Sequence, residues 1–265
     1  MSDDLTGIAI DHLSHRYVPR TGQAVTALDN VSLTVPRNSF HALLGPSGCG
    51  KSTLLFLIGG FLPIQEGEIR TASGPVLAPG PERGVVFQNF ALFPWKTVKQ
   101  NVLYGIGKRG IRGAEADQRA QHFIDLVHLT GFENSYPAQL SGGMQQRAAL
   151  ARTLATDPDI LLMDEPFGAL DAQTRRIMQE ELLAIWRETR KTVVFVTHDV
   201  AEAAYLADTI SVMSARPGRI RQRIDAGFNR TADTSVFKSP EFIGLVEHVW
   251  DLVRDEVDEA RLRSH

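Results

Sequence analysis

The sequence predicts an α/β protein whose core is a parallel sheet flanked by helices. Three short apolar runs, residues 41–44, 160–163 and 192–196, show no alternation of polar and apolar side chains. Strands of this kind are buried on both faces, as in a parallel sheet covered by helices. Helical patterns at residues 52–58 and 172–189 separate these runs along the chain, as the crossovers between parallel strands require.

The remaining strands give weaker signals. Residues 8–10 and 31–35 alternate like half-buried strands, and residues 84–87 form another short apolar run. We expect turns at residues 21–22 and 29–30, because each pair combines turn-forming side chains.

Residues from about 89 to 158 are expected to form a helical subdomain. A glycine- and base-rich loop is predicted at residues 105–113, followed by a helix at residues 114–129. Ser141 is expected to start the next helix, which runs to about residue 156.

Residues 1–230 are interpreted as the main domain and residues 231–265 as a linker with one amphipathic helix that begins at Ser239. We expect this helix to pack on the core of its own chain rather than on a second copy. Its apolar stripe consists of Phe242, Leu245, Val246, Val249, Trp250 and Val253.

Composition narrows the function classes. The formal net charge of -3 argues against nucleic acid as the main partner. The only cysteine is Cys49, so no intrachain disulfide can form, which suits a reducing compartment. No apolar run reaches the ~18 residues of a membrane span, and the N-terminus lacks a signal-peptide pattern. We therefore expect a chain that would serve a membrane only through a partner.

A glycine-rich stretch follows the first buried strand and precedes a helix. Backbone N–H groups of such a loop surround phosphate oxygens, and the helix adds its positive N-terminal end. The lysine is expected to reach the β- and γ-phosphates, and the serine after it to ligate Mg²⁺. The loop comprises Gly45, Pro46, Ser47, Gly48, Cys49, Gly50, Lys51, Ser52 and Thr53.

Two carboxylates follow the second buried strand. Asp164 is expected at the carboxyl end of that strand, where parallel sheets bind ligands, and would hold Mg²⁺ directly or through water. Glu165 would orient or deprotonate an attacking water. A solvated acidic turn is the alternative, which the buried strand and the phosphate loop disfavour.

A second helix start suited to anions lies at Ser141-Gly142-Gly143. Serine is a good N-cap, and glycines let an anion approach the backbone. The three residues alone would indicate only a capped helix, but the full string at residues 140–147 is far more specific.

Together these motifs resemble the nucleotide-binding subunit of ATP-binding cassette (ABC) transporters, over roughly residues 5–225. The resemblance implies a P-loop NTPase fold of the ABC-ATPase type, with an antiparallel β subdomain and a helical subdomain, and implies ATP and Mg²⁺ as ligands. In the family, the signature segment binds the γ-phosphate of ATP held by the other subunit. The chain would then act as a head-to-tail homodimer, with Ser141, Gly142 and Gly143 acting across it. Met144 stands where the family most often has Gln.

Four more residues are similar to family motifs. Gln88 resembles the Q-loop glutamine that senses Mg²⁺, and His198 the switch histidine that contacts the γ-phosphate, with a helix-cap or core histidine as the alternative. Tyr17 resembles the aromatic that stacks on adenine, with a core role as the alternative. Asp171 resembles the D-loop aspartate at the dimer interface, where Gly168 replaces the usual Ser. The resemblance therefore implies a catalytic set of Glu165, His198, Lys51 and Gln88 and a metal set of Ser52, Gln88 and Asp164.

Two strings, residues 91–95 and 214–220, are similar to ATPases of the nitrate/sulfonate/taurine importer group. The resemblance implies transmembrane permease subunits as partners, a solute-binding protein acting indirectly, and a location on the cytoplasmic side of the cell membrane. The apolar residues after Gln88 would form a notch for the permease, or would pack inside the helical subdomain. They are Phe90, Leu92, Phe93 and Trp95.

Other functions stay open at this point. An exporter or lipid-trafficking ATPase would carry the same motifs, and only the partner would distinguish it. A DNA-repair or translation cassette is disfavoured by the compact insert and the slightly acidic charge. The sequence does not identify the transported solute.

Overall fold

The computed structural model describes residues 6–19, 22–168, 170–227 and 234–263. The chain forms two compact units, one of Met1–Gly80 with Thr192–His265 and one of Pro81–Lys191. None of the helices in these described ranges is long and apolar enough to cross a bilayer.

The first unit contains an antiparallel sheet of four strands, β1 (Thr6–Tyr17), β2 (Val25–Pro36), β4 (Glu66–Thr71) and β5 (Gly74–Pro75). Across the sheet they lie in the order β2-β1-β4-β5. Ile8 pairs with Val35 and Ile10 with Leu33, and all four side chains are buried, so the alternation seen in the sequence supplies one apolar face.

The turn expected at residues 29–30 is wrong, because both residues lie inside β2. Asn30 has a φ of 52°, and the pairing with β1 shifts between Leu13↔Val31 and His15↔Leu28. A side chain tolerant of this conformation therefore marks a bulge within the strand rather than its end. Of the other expected turn, Thr21 lies outside the described residues.

The same unit contains the strands β3 (Phe40–Leu44), β8 (Thr192–Thr197) and β9 (Thr209–Met213), all fully buried, and β10 (Ile220–Asp225). β3 pairs in parallel with both β8 and β9, while β10 runs antiparallel to β9. Leu44 pairs with Thr197, so the carboxyl ends of β3 and β8 lie side by side. Two helices, α1 (Lys51–Ile58) and α6 (Val200–Leu206), follow these two strand ends.

The C-terminal helix α7 (Pro240–Arg263) contacts α6 and β9 and so packs on the core of its own chain, as expected. A short 3-10 helix, Thr234–Lys238, precedes it. Phe242 and Val249 are buried, but Trp250 is 55% exposed, so the expected apolar stripe is wrong at that residue. Glu256 of the same helix, which is not part of the expected stripe, is buried at 4% exposure.

The second unit holds a parallel pair of strands, β6 (Arg83–Val86) and β7 (Ile160–Asp164), and four helices among its described residues. A 3-10 turn, Pro137–Gln139, precedes α4. The helices are α2 (Val98–Lys108), α3 (Gly113–Leu126), α4 (Gly142–Leu154) and α5 (Ala172–Thr189).

The loop expected at residues 105–113 is wrong in its first half, because residues 105–108 form the last turn of α2. A Cβ at Gly105 would lie 2.8 Å from the carbonyl oxygen of Arg152. The glycine therefore permits α2 to approach α4 closely and does not end the helix. A capping box of Thr97 and Gln100 starts α2.

Candidate functional site

The glycine loop lies between β3 and α1, as the sequence predicts. Gly48 and Gly50 have φ values of 74° and 106°, in the left-handed region that favours glycine. A Cβ at Gly45 would lie 2.9 Å from the Met213 carbonyl oxygen and 3.0 Å from Cys49 Sγ. The loop can follow this tight path only with glycine at these positions.

The side chain of Lys51 extends back across the loop to its first two residues. It is 5% exposed, and Nζ donates to the carbonyl oxygens of Gly45 (2.8 Å) and Pro46 (2.9 Å). The ammonium group is thus fixed beside the N-terminus of α1, where the helix dipole also favours negative charge. This arrangement suits a phosphate group.

Cys49 is a packed residue of the loop, 1% exposed. Burial raises the pKa of its thiol, and this outweighs the nearby positive charge of Lys51, which lowers it. The thiol is therefore kept protonated at neutral pH, although a helix N-terminus can lower a thiol pKa.

Tyr17 and His198 both lie at strand ends in the first unit. Tyr17 is 43% exposed and its hydroxyl is hydrogen-bonded to Thr53 Oγ1 at 3.2 Å, so it is not a core residue. His198 is exposed and follows Thr197, the partner of Leu44 in β3. It does not cap α6, because Asp199 does so by accepting hydrogen bonds from two backbone N–H groups.

The second unit places its acidic residues at the end of β7. Asp164 is 8% exposed, and Glu165 has a φ of 44°, a conformation that non-glycine residues adopt rarely. A Cβ at Gly168 would lie 3.6 Å from Gln88 Nε2 and 3.8 Å from Glu165 Oε2. The Gln88 amide and the Glu165 carboxylate therefore both lie within 4 Å of the Cβ position of Gly168. These are ordinary contact distances, so the serine usual in the family would also fit.

Ser141 caps α4, its Oγ accepting from the Met144 N–H at 3.3 Å. A Cβ at Gly143 would lie 2.9 Å from Thr174 Cγ2 on α5, whereas one at Gly142 would make only ordinary contact with Leu170 at 3.4 Å. Gly143 is thus required for close packing of two helices. Gly142 and Ser141 remain exposed at the helix start.

Asp171 caps α5. Its Oδ1 accepts from the backbone N–H groups of Gln173 (3.1 Å) and Thr174 (3.0 Å). Hydrogen bonds from Thr174 are the main reason that the pKa of Asp171 is lowered. The Asp171 side chain therefore stabilises the start of α5 within its own unit.

The aromatic residues after Gln88 divide into buried and exposed ones. Phe90 is 8% exposed, and Arg152 Nη2 donates to its carbonyl oxygen at 3.1 Å. Phe93 stacks at a tilt against Trp95, with ring centroids 5.6 Å apart. Trp95 itself is 69% exposed, so part of the expected apolar notch packs inside the unit and part faces outwards.

The expected metal donors are oxygen atoms, namely the Ser52 hydroxyl, the Gln88 amide and the Asp164 carboxylate. Across the described residues, no group of three or more His, Cys, Asp or Glu side chains could hold a metal. Mg²⁺ commonly takes one or two carboxylates and completes its shell with water and phosphate oxygens. The donor set fits Mg²⁺ in its chemistry.

Sequence reasoning missed Arg216, whose guanidinium group contacts the phosphate loop. The two residues that meet there, Arg216 and Gly48, are 168 positions apart. No local pattern signals such a contact.

Known proteins resemble this chain along most of its length. A family model described as ABC transporter matches residues 28–168. An uncharacterized ABC transporter ATP-binding protein of Methanocaldococcus jannaschii is 51% identical, covering 89% of this chain and 87% of the relative. A taurine import ATP-binding protein of Rhizobium johnstonii is 47% identical, covering 95% and 98%.

A solved structure has a similar fold. It is a dimeric ATP-binding cassette in a post-hydrolysis state with ADP and Pi bound. The TM-score is 0.73 at 33% identity, covering 83% of this chain and all of that one.

Proposed function

This chain belongs to the ATP-binding family of ABC transporters, and we propose that it powers an importer of a small solute through a membrane permease. It is an ATPase, as the ATP-binding subunits of the family are. The finer statement, a solute of the nitrate, sulfonate or taurine kind, is supported by the taurine import relatives and by the strings at residues 91–95 and 214–220.

The buried lysine held across the glycine loop is the observation that carries the nucleotide part of the proposal. Lys51 would neutralise the β- and γ-phosphates of ATP. Ser52, Gln88 and Asp164 would hold Mg²⁺, which would neutralise charge on the phosphates when bound. Tyr17, exposed beside Thr53, would stack on the adenine ring.

Water activation is assigned to Glu165 and recognition of the γ-phosphate to His198. Glu165 follows the buried strand β7, and both its carboxylate and the Gln88 amide lie within 4 Å of the Cβ position of Gly168. The rare backbone conformation of Glu165 is typical of residues held in place for a task. A carboxylate in this setting can accept a proton from water as the water attacks phosphorus.

A head-to-tail homodimer would complete each site. The chain contains one phosphate loop and one signature segment, and the exposed start of α4 offers N–H groups of the kind that bind phosphate. Ser141, Gly142 and Gly143 would bind the γ-phosphate of ATP held by the partner, with Asp171 near the dimer interface. The similar solved cassette is dimeric, which supports this arrangement.

We propose two kinds of partner at the membrane, permease subunits and a solute-binding protein. The dimer would dock under two transmembrane permease subunits on the cytoplasmic side of the cell membrane, and a solute-binding protein outside would deliver the solute. The exposed Trp95, next to the segment that begins at Gln88, is the residue we assign to permease contact.

The first test uses Glu165→Gln with MgATP, because an amide of the same size cannot accept the proton and should trap the ATP-bound dimer. We expect dimers by light scattering for Glu165→Gln with ATP, and monomers for the double variant Lys51→Ala/Glu165→Gln. Affinity purification of tagged Glu165→Gln from detergent-solubilised native membranes should then recover a polytopic permease, identified by mass spectrometry. Recovery of ribosomes or DNA-repair factors instead would contradict the importer.

A further inference from the structure

The turn between β9 and β10, residues 214–219, lies against the phosphate loop, and we call it the brace turn. It is closed on itself, since the Ser214 N–H donates to the Arg219 carbonyl (2.9 Å) and Ser214 Oγ donates to the Pro217 carbonyl (3.0 Å). The Gly218 N–H donates to the Ala27 carbonyl at 2.9 Å. The brace turn is therefore tied to β2 by backbone hydrogen bonds.

Arg216 extends from the brace turn to the loop. Its Nε and Nη2 donate to the Gly48 carbonyl oxygen at 3.3 and 3.2 Å. The backbone of the brace turn is also close, since a Cβ at Gly218 would lie 2.1 Å from the Cys49 carbonyl oxygen. Two successive carbonyl groups of the phosphate loop thus meet this turn.

Holding the Gly48 carbonyl determines where the next N–H points. The carbonyl of Gly48 and the N–H of Cys49 belong to one planar peptide and point in opposite directions. The Cys49 N–H donates to the Pro46 carbonyl oxygen at 3.3 Å, the same oxygen that accepts from Lys51 Nζ at 2.9 Å. Arg216 therefore holds one side of a peptide whose other side donates to the carbonyl oxygen that also accepts from Lys51 Nζ. Its positive charge also polarises that N–H as a donor.

The brace turn has its own anchor on α7. Glu256 is 4% exposed, and its Oε2 accepts from the Ala215 N–H at 3.2 Å. Its Oε1 pairs with Arg221 Nε at 3.2 Å. A buried carboxylate without partners would be costly, so these contacts explain why a glutamate occupies an inward position of this helix.

We propose that Arg216 is a positioning residue for the nucleotide phosphates, and that Glu256 of α7 holds the turn that carries it. Arg216 fixes the Gly48–Cys49 peptide, whose N–H holds the Pro46 carbonyl oxygen that also accepts from Lys51 Nζ. It thereby keeps the loop and its lysine in the geometry that receives phosphate. The C-terminal helix then sets nucleotide affinity through a chain of contacts from Glu256 to Ala215, Arg216 and Gly48. This inference rests on the proposed function, since it requires that the loop bind a nucleotide.

The test measures MgADP affinity by isothermal titration calorimetry, because ADP binding avoids ATP-driven dimer formation. Losing two charge-assisted hydrogen bonds should weaken binding about tenfold in Arg216→Ala. Arg216→Lys retains the charge and can make one hydrogen bond to the Gly48 carbonyl in place of two, so it should lose about threefold. Arg219→Ala is the matched control from the same turn, since that side chain pairs with Asp29 and not with the loop. It should bind within about twofold of wild type.

A second readout separates positioning from stability. Arg216→Ala should raise the KM for ATP with kcat unchanged, as expected for binding lost equally from ground and transition states, and its thermal midpoint should match that of Arg219→Ala. A lowered midpoint with unchanged MgADP affinity would show a purely structural role and overturn the proposal. So would equal affinities of Arg216→Ala and Arg219→Ala.

The anchor is tested with Glu256→Ala, with the exposed Glu247→Ala of the same helix as control. Glu256→Ala should weaken MgADP binding by a factor similar to that of Arg216→Ala, and the double variant should be no weaker than Arg216→Ala alone. Multiplied losses in the double variant would overturn the link through Arg216. If wild type failed to bind MgADP or MgATP, the proposed function would fail together with this inference, whereas binding that is indifferent to Arg216 would overturn the inference alone.

Discussion

His41 lies in β3, four residues before the phosphate loop begins, and should make the stability of the protein depend on pH. The ring is fully buried. Its Nδ1 is hydrogen-bonded to Thr209 Oγ1 at 2.6 Å and its Nε2 to Ser211 Oγ at 3.1 Å. Burial, with a smaller contribution from the positive charge of Arg223, lowers the pKa of His41 to about 3.

The direction of this pH dependence follows from the protonation of His41 in the folded and the unfolded chain. In the unfolded chain the imidazole takes up a proton near pH 6.5, whereas in the folded chain it stays neutral until about pH 3. The unfolded state therefore binds more protons across this window, and stability falls as the pH falls from 6.5 towards 3. At about 1.4 kcal/mol per pH unit, His41 should remove about 2 kcal/mol from the free energy of unfolding between pH 7 and pH 5. That is a large part of the ~5–15 kcal/mol typical of a folded domain.

The assay is urea unfolding at pH 7 and pH 5 for wild type, His41→Gln and the exposed-histidine control His122→Gln. We expect wild type and His122→Gln to lose about 2 kcal/mol more than His41→Gln on acidification. Equal pH dependence in all three proteins would show that His41 does not cause the loss of stability in acid. NMR of ring-labelled wild type gives an independent reading. The His41 ring signals should not titrate between pH 7 and pH 5. A midpoint near 6.5 would show that the ring takes up a proton in the folded protein, contrary to this prediction.

Three further predictions concern the candidate site. Gly143→Ala places a methyl group 2.9 Å from a side chain of α5 and should cost about 1–2 kcal/mol in thermal unfolding, whereas Gly142→Ala should melt at or above the wild-type temperature; equal melting of the two variants would contradict this packing. Cys49 is buried with a raised thiol pKa, so iodoacetamide should label it slowly in the native protein and quickly in urea, and complete modification should abolish ATP binding. Fast native labelling, or full ATPase activity after complete modification, would count against that account. Trp95→Ala should lower the yield of permease in the affinity purification with ATP binding unchanged, and Trp250→Ala, also exposed, should not; equal permease yields would argue against Trp95 as a contact.

The parallel core and the phosphate loop could be predicted because their signals are local. β3 and β8 are mostly apolar and show no alternation, and every residue in them is buried. Gly48 and Gly50 adopt the left-handed conformations for which glycine is suited. Ser141 caps the helix that it was expected to start. In each case the residue and the structure it determines lie within a few positions of one another.

Features that depend on distant neighbours could not be predicted in this way. In the sequence Gly105 indicates a loop, whereas in the structure it is a helical residue packed against the Arg152 carbonyl of α4. Trp250 fits the apolar spacing of α7 but is exposed, while Glu256 is buried. The Ala215 N–H and the Arg221 guanidinium compensate that burial, and neither lies near Glu256 in the sequence.

The phosphate loop itself combines local and distant causes. Its glycines are usually explained by the approach of phosphate to the backbone, yet Gly45 is also packed against the Met213 carbonyl and Gly50 against the backbone of β2. Substituting either glycine would therefore disturb packing and ligand contact together, and the loss of activity could not be divided between them. Arg216 donates to the Gly48 carbonyl oxygen through an exposed side chain. Replacing Arg216 by a smaller residue removes hydrogen bonds to the loop backbone without adding atoms beside it. The substitution therefore separates positioning of the phosphate from packing of the strands.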